Sequence, residues 1–117
     1  MLSLPACSYV TNDDEIYDII SNYIFTFGEN CDLNWIDTSK VTDMSKLFAD
    51  LSFNGNISKW DVSNVINMCQ MFENSKFNGN ISKWNTSKVR IMSKMFKESK
   101  FNKDISNWDV SNVTDMK

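Results

Sequence analysis

Residues 60–83 read WDVSNVINMCQMFENSKFNGNISK, and residues 84–107 read WNTSKVRIMSKMFKESKFNKDISN. Aligned without gaps, the two stretches share Trp, Val, both Met, both Phe and Ile, together with several Ser and Asn positions. Residues 36–59 fit the same frame with Ile36 in the Trp position, and residues 108–117 begin it again. The chain therefore contains three full 24-residue repeats and a partial fourth.

Each repeat unit carries two apolar patterns. The longer pattern has helical spacing, which predicts a short helix or 3₁₀ segment in each unit. In the first unit it consists of Val41, Met44, Leu47, Phe48 and Leu51. The shorter pattern follows the turn signal NG and predicts a short strand, as in NISKWDVS. We therefore expect an α/β fold, a short leucine-rich-repeat-like solenoid of short helices and parallel strands spaced about 4.8 Å apart.

The segment NDDEIYDIISNYIFTF, which precedes Gly28, predicts an amphipathic helix. Asn12 and Glu15 have the spacing of a capping box, and the helix is expected to end at Gly28. A solenoid needs a terminal unit with a polar outer face. The sequence therefore predicts two parts, an N-terminal capping segment over residues 1–35 and the repeats over residues 36–117.

Asn and Asp recur at fixed positions of the units. At turns, such side chains bond to backbone groups, and in a solenoid identical residues stack into ladders. Calcium binding is the functional alternative, but calcium takes six to eight oxygen ligands and favours carboxylates. Half of the six residues concerned are amides, so we expect a structural role and no metal site. The two columns are Asn56, Asn80 and Asp104, and Asp61, Asn85 and Asp109.

The residues needed for catalysis are sparse. The sequence contains no His, so general-base chemistry would fall to carboxylates, Lys, Tyr or Cys. No motif pairs these groups with a nucleophile or a phosphate-binding loop. Cys7, Cys31 and Cys69 are odd in number and lack metal-ligand spacing, and Cys69 occupies a position that is Ser in the neighbouring units. We expect a protein that is not an enzyme and uses no cofactor.

The net charge of −3 conceals an asymmetry along the chain. Residues 1–35 contain six acidic residues and no Lys or Arg, whereas residues 84–107 contain six basic residues and two acidic ones. The negative total argues against nucleic-acid binding. No run of 18 apolar residues is present, so no transmembrane segment is expected. The segment MLSLPACSYV lacks a charged region and a long apolar region, so no working export signal is expected.

The elements WDVSNV, VTDM, MF and FNKDISNW closely resemble the BspA-like leucine-rich-repeat surface-protein family, including the domain of unknown function first catalogued in mycoplasmas. The resemblance covers residues 36–117, about 70% of the chain. It implies an α/β solenoid, often displayed on microbial surfaces and used for adhesion or host contact, with no catalytic residue. It also implies a cell-surface or extracellular location. Arg90 and Ile91 depart from the pattern, because Thr42 and Asp43 stand at these positions in the first unit.

Two functional hypotheses follow from the repeats. The first is a non-enzymatic protein–protein interaction module, whose variable surface positions contact a partner protein. In the basic unit these are Arg90, Ile91 and Lys94. The second is a structural self-assembly component, in which the C-terminal end of the solenoid pairs with another subunit, for example as a homo-oligomer or in a larger particle. The residues expected at that edge are Trp108, Val110, Val113 and Met116.

Overall fold

The structure is a computed structural model that describes residues 9–10 and 13–115. Its regular elements are strand β1 at Tyr9–Val10, helix α1 at Ile16–Phe27 and strand β2 at Ile36–Asp37. The two strands pair in parallel, with Tyr9 opposite Ile36. In the described part of the chain, all other strand-like pairing takes the form of single parallel bridges.

Helix α1 begins at Ile16, and the predicted capping residue Asn12 lies outside the described residues. Glu15 is the N-cap residue, and its side chain makes no capping hydrogen bond. The helix ends at Gly28 as predicted, where a φ of 95° suits glycine and the N–H donates to the Ile24 carbonyl at 2.8 Å. The inner face of α1 is buried against the repeats through Ile16, Ile20 and Tyr23.

Successive repeat units lie side by side in register. Parallel bridges join Asp43 to Asn67, Asn67 to Ile91, and Ile91 to Asp115, which are equivalent positions of consecutive units. A fourth bridge joins Asp32 to Asn56 and extends the pairing into the segment before the first unit. Equivalent residues are therefore direct neighbours in space.

The segments predicted as short helices have a different backbone. We call residues 44–50, 68–74 and 92–98 the ladder segments. They consist of consecutive tight turns, in which a local N–H bonds to the carbonyl three residues earlier, as from Leu47 to Met44 at 3.2 Å. Alternate N–H groups leave the segment and donate to the next unit, as from Phe48 to Met71 at 2.9 Å.

This pattern of donors prevents an α-helix, because a helix needs each N–H for the carbonyl four residues earlier. It also places two residues of each ladder segment in the left-handed region, which costs a non-glycine residue about 1–2 kcal/mol. The inter-unit hydrogen bonds offset that strain. The six residues have φ between 53° and 61° and are Lys46, Asp50, Gln70, Asn74, Lys94 and Glu98. The predicted strand NISKWDVS is likewise a series of turns, apart from the bridge at Asn56.

Three columns of aromatic rings run through the core. Phe72 lies between Phe48 and Phe96 with both ring centroids 5.6 Å away, and Trp84 lies between Trp60 and Trp108 at 6.5 and 6.2 Å. A third column consists of Phe53, Phe77 and Phe101. Each indole N–H of the Trp column donates to a backbone carbonyl 27 residues earlier, as Trp84 does to Ile57 at 3.1 Å. Each Trp of this column is therefore packed against its neighbours and has its indole N–H hydrogen-bonded.

Candidate interaction surfaces

The polar columns are occupied by local hydrogen bonds. In each case the side-chain oxygen of Asn or Asp accepts the backbone N–H two residues later, as Asn56 does from Ser58 at 3.0 Å and Asp61 from Ser63 at 2.9 Å. These are Asx turns, in which one side-chain oxygen of each residue is held by a backbone N–H. Within residues 13–115, no group of three or more His, Cys, Asp or Glu side chains is placed to hold a metal ion.

One lateral surface differs between units. A shallow cleft of about 200 Å³ is lined by Ile66, Lys88, Arg90 and Asn112, which we call the lateral patch. The Ile66 side chain is 43% exposed, and the Lys88 ammonium donates to Asn64 Oδ1 at 3.0 Å. Two cations therefore flank an exposed aliphatic side chain.

The structure separates the three residues predicted to contact a partner. Arg90 belongs to the lateral patch, and Ile91 lies half-buried beside it in the column of bridges. Lys94 instead lines a second cleft at the end of the repeats. Ile66 and Lys88 were not among the residues predicted to contact a partner. The repeat alignment could have indicated Ile66, because it occupies the position equivalent to Arg90.

The second cleft, about 610 Å³ in volume, lies at the end face of the last full unit. Trp108 is only 8% exposed, and its indole N–H is held by the Ile81 carbonyl at 2.9 Å. Val110 is 40% exposed, Val113 is partly buried, and Met116 lies outside the described residues. Sequence reasoning missed the other apolar residues of this face, although the repeat columns contain them. They are Met92, Met95, Phe96 and Ile105.

The opposite face is covered by the capping helix. Asp13 accepts hydrogen bonds from the Thr42 N–H at 2.8 Å, the Thr42 hydroxyl at 2.6 Å and the Asp43 N–H at 3.2 Å. In the next unit, the equivalent N–H groups of Ile66 and Asn67 donate to the Thr42 carbonyl. The Asp13 carboxylate therefore takes the place of a carbonyl from a preceding unit.

This arrangement changes the acidity of Asp13. Burial opposes ionisation, but the hydrogen bonds from Thr42 and Asp43 together outweigh it and lower the pKa of the Asp13 carboxyl from its ordinary value. A depressed folded-state pKa contributes stability above the unfolded-state value, and the contribution is lost as pH falls through the folded-state value. The cap contact should therefore weaken below about pH 4.

We expect Asp13→Ala to lower the free energy of unfolding by about 1–2 kcal/mol at pH 7, because Thr42 and Asp43 lose a charged acceptor. The difference between wild type and variant should shrink below about pH 4. Urea unfolding at pH 7, 4 and 2.5 measures both quantities. Glu29→Ala removes an acidic side chain from the same N-terminal segment without touching Thr42 and serves as the control. A difference that stays constant with pH would contradict the assignment.

The two described cysteines are free thiols. Burial raises the pKa of the Cys31 thiol, which keeps it protonated at neutral pH. The Cys69 sulfur lies 3.2 Å from the Ser93 hydroxyl, in the column where the other units carry Ser. Cys7 lies outside the described residues. In the structure, Cys31 packs against the core and Cys69 lies in a polar column.

Comparison with known proteins places the chain in a family. A family profile described as "Mycoplasma protein of unknown function, DUF285" matches residues 19–117, which include most of helix α1 and all repeat units. No curated protein and no solved structure matches the chain. None of the helices in the described part of the chain has the length and apolar character needed to cross a membrane. The chain belongs to the DUF285 family of mycoplasma proteins of unknown function.

Proposed function

We propose that the chain is a non-enzymatic protein–protein interaction module, built as a short solenoid of the BspA-like leucine-rich-repeat type. The parallel bridges between equivalent residues of consecutive units support the solenoid, as do the three aromatic columns. Such arrays bind partners through regular extended surfaces. In this chain helix α1 packs on the repeats at the N-terminal end of the array, and the lateral surfaces of the units are accessible to a partner.

The lateral patch is the observation that carries the proposal. Side chains that face the core keep their type from unit to unit, whereas the exposed position following the conserved Val changes from Thr42 to Ile66, Arg90 and Thr114. Ile66 contributes exposed apolar area, and Arg90 contributes five donors that no described side chain engages. Surface adhesion on a microbial cell is the form of this function that the family resemblance favours.

A peptide library displayed on phage tests the patch without a known partner. Peptides are selected for binding to the wild-type chain. Their affinity for the wild type is then compared with their affinity for a variant carrying Ile66→Thr, Arg90→Thr and Ile91→Asp. These substitutions install residues that equivalent positions already hold, so the fold should be unchanged, as thermal unfolding would verify. We expect selected peptides to bind the wild type about 10-fold more tightly, a typical loss when interface anchors are removed. Equal binding to both proteins would refute the proposal for this patch.

Structural assembly through the end face is the second candidate. It is favoured by the apolar cleft there and by the partial exposure of Val110. Light scattering behind size exclusion over a wide concentration range tests it on the wild type and on Val110→Asp. This side chain is exposed, so the substitution should preserve the fold. An oligomer that the substitution converts to a monomer supports assembly between copies, and a monomer in both cases opposes it.

A further inference from the structure

A regular pattern of turns is interrupted beside the lateral patch. In the described part of the chain, an Asn or Asp side chain accepts the N–H two residues later at ten positions. Asp43 and Asn67 do so in the first and second units, whereas the third unit carries Ile91 at the equivalent position. An aliphatic side chain offers no oxygen to the N–H of Ser93. The third unit therefore gives up a turn-stabilising hydrogen bond next to Arg90, and a local rule broken in this way is expected at a functional site.

The same departure removes negative charge from the patch. The first unit and the partial fourth carry Thr-Asp at this pair of positions, residues 42–43 and 114–115. The two central units carry Ile66–Asn67 and Arg90–Ile91 instead, so they lack both carboxylates and gain a cation and exposed aliphatic area. None of the carboxylates in residues 13–115 pairs with Arg90 or Lys88. The positive charge of the patch is therefore not neutralised within the described chain.

One of the two cations is held in place by the neighbouring unit. The Asn64 amide donates to the Ser39 carbonyl at 2.7 Å, and Asn64 Oδ1 accepts the Lys88 ammonium at 3.0 Å. The other hydrogens of that ammonium remain available to an acceptor from a partner. Arg90 presents a planar fork of donors that fits a carboxylate with two parallel hydrogen bonds. A side chain that is already positioned loses less conformational entropy on binding.

The patch requires a partner that combines negative charge with an apolar side chain. Ile66 is 43% exposed and belongs to the unit next to that of Arg90, at a spacing of about 4.8 Å between paired backbones. In an extended peptide, residues two positions apart lie about 6.8 Å apart on one face. A segment with an aliphatic or aromatic residue within two positions of Asp or Glu can therefore cover Ile66 and place a carboxylate at Arg90. Nucleic acid offers no aliphatic side chain and would approach a chain of net charge −3.

We infer that the lateral patch binds an extended acidic segment of a partner protein. Carboxylates of that segment bond to Arg90 and Lys88, and an adjacent apolar side chain packs on Ile66. The inference rests on the proposed function and adds the chemical class of the partner. Hydrogen bonds to the cations supply selectivity for acidic segments, and burial of Ile66 supplies affinity.

The peptides selected on the wild-type chain serve as the probes. Those that lose binding to the triple variant are sequenced, and we expect Asp and Glu in them about 2-fold more often than in the starting library. In the tightest of these peptides, replacing Asp and Glu by Asn and Gln should weaken binding to the full 117-residue chain about 10-fold. Raising the NaCl concentration from about 50 to about 500 mM should weaken the acidic peptide about 3- to 10-fold.

Two substitutions in the third unit separate direct contact from overall charge. Arg90→Thr installs the residue found at positions 42 and 114, and Lys100→Ser installs the residue found at position 52. Each removes one positive charge from an exposed site, so the fold should be unchanged. Arg90→Thr should weaken the acidic peptide about 10-fold. Lys100→Ser should weaken it less than about 2-fold, because Lys100 does not line the patch.

The outcomes distinguish the class of partner from the function itself. Patch-dependent peptides without an excess of Asp and Glu, or peptides that bind equally as their amides, would overturn the acidic partner and leave the interaction module standing. Equal weakening by Arg90→Thr and Lys100→Ser would also overturn it, because attraction to net charge alone would explain the binding. If no peptide depends on the patch, the proposed function fails for this patch and the inference fails with it.

Discussion

Replacement of Phe72 by Ala should lower the free energy of unfolding by about 3–5 kcal/mol, the range for deleting a buried aromatic ring. The Phe72 side chain is fully buried at the centre of its column, with Phe48 and Phe96 each 5.6 Å away and Phe77 at 4.8 Å. Rings on three sides prevent collapse of the space that Ala would leave, so the cavity term should be near its maximum. Domains have about 5–15 kcal/mol of stability, so this loss would remove a large fraction of it.

Urea unfolding followed by the fluorescence of the Trp column measures this loss. Phe25→Ala is the matched control, because it deletes the same ring from a site that is 92% exposed on helix α1. The control should change stability by no more than about 0.5 kcal/mol. A loss below about 1 kcal/mol for Phe72→Ala would show that the column is not packed as described.

The core could be predicted from the sequence because its cause is local and repeated. Phe48, Phe72 and Phe96 occupy one position of the repeat, and any arrangement that places consecutive units in register must bring them together. The same logic predicts the Trp column and the Asn and Asp turns. The end of α1 at Gly28 was predictable for a different reason, the preference of glycine for positive φ.

The ladder segments could not be predicted, because apolar spacing does not report backbone conformation. Met44, Leu47 and Phe48 have the spacing of a helical face, and they are buried, yet the chain between them is a series of turns. The deciding factor is that alternate N–H groups bond to another unit, a tertiary contact with no local sequence signal. Lys46 gave no indication either, since Lys is not among the residues enriched at positive φ; Asp50 is of an enriched type, but a single Asp does not by itself predict a left-handed residue.

The contacts of the cap could not be predicted from the sequence for a related reason. Asp13 was interpretable from sequence only as an acidic residue near a helix start, where the helix dipole accounts for it. Its bonds to Thr42 and Asp43 span 29 and 30 residues and depend on how the cap sits on the first unit. The lateral patch is similarly a property of adjacent units, because Ile66 and Arg90 become neighbours only after the units are stacked.

Replacement of Gly55 by Ala should destabilise the protein by about 3 kcal/mol, at the upper end of the range for overpacking a tight site. A Cβ at this position would overlap the carbonyl oxygen of Cys31 and lie 2.5 Å from the Phe53 ring. The Cys31 carbonyl cannot simply withdraw, because it accepts the N–H of Asn56 at 3.2 Å. The segment before the first unit thus approaches the backbone so closely that only glycine fits.

Gly79→Ala is the matched comparison, because Gly79 holds the equivalent position in the second unit. Its added Cβ would meet the Phe77 ring at 2.8 Å and the Gly55 carbonyl at 3.4 Å, and a ring can shift more easily than a hydrogen-bonded backbone. The third unit carries Lys103 there, so the repeat itself tolerates a side chain. We expect a loss of about 1 kcal/mol for Gly79→Ala by urea unfolding, against about 3 kcal/mol for Gly55→Ala. Equal losses would mean that the cap segment does not approach Gly55 as described, since the backbone carbonyl contact is the largest difference between the two sites.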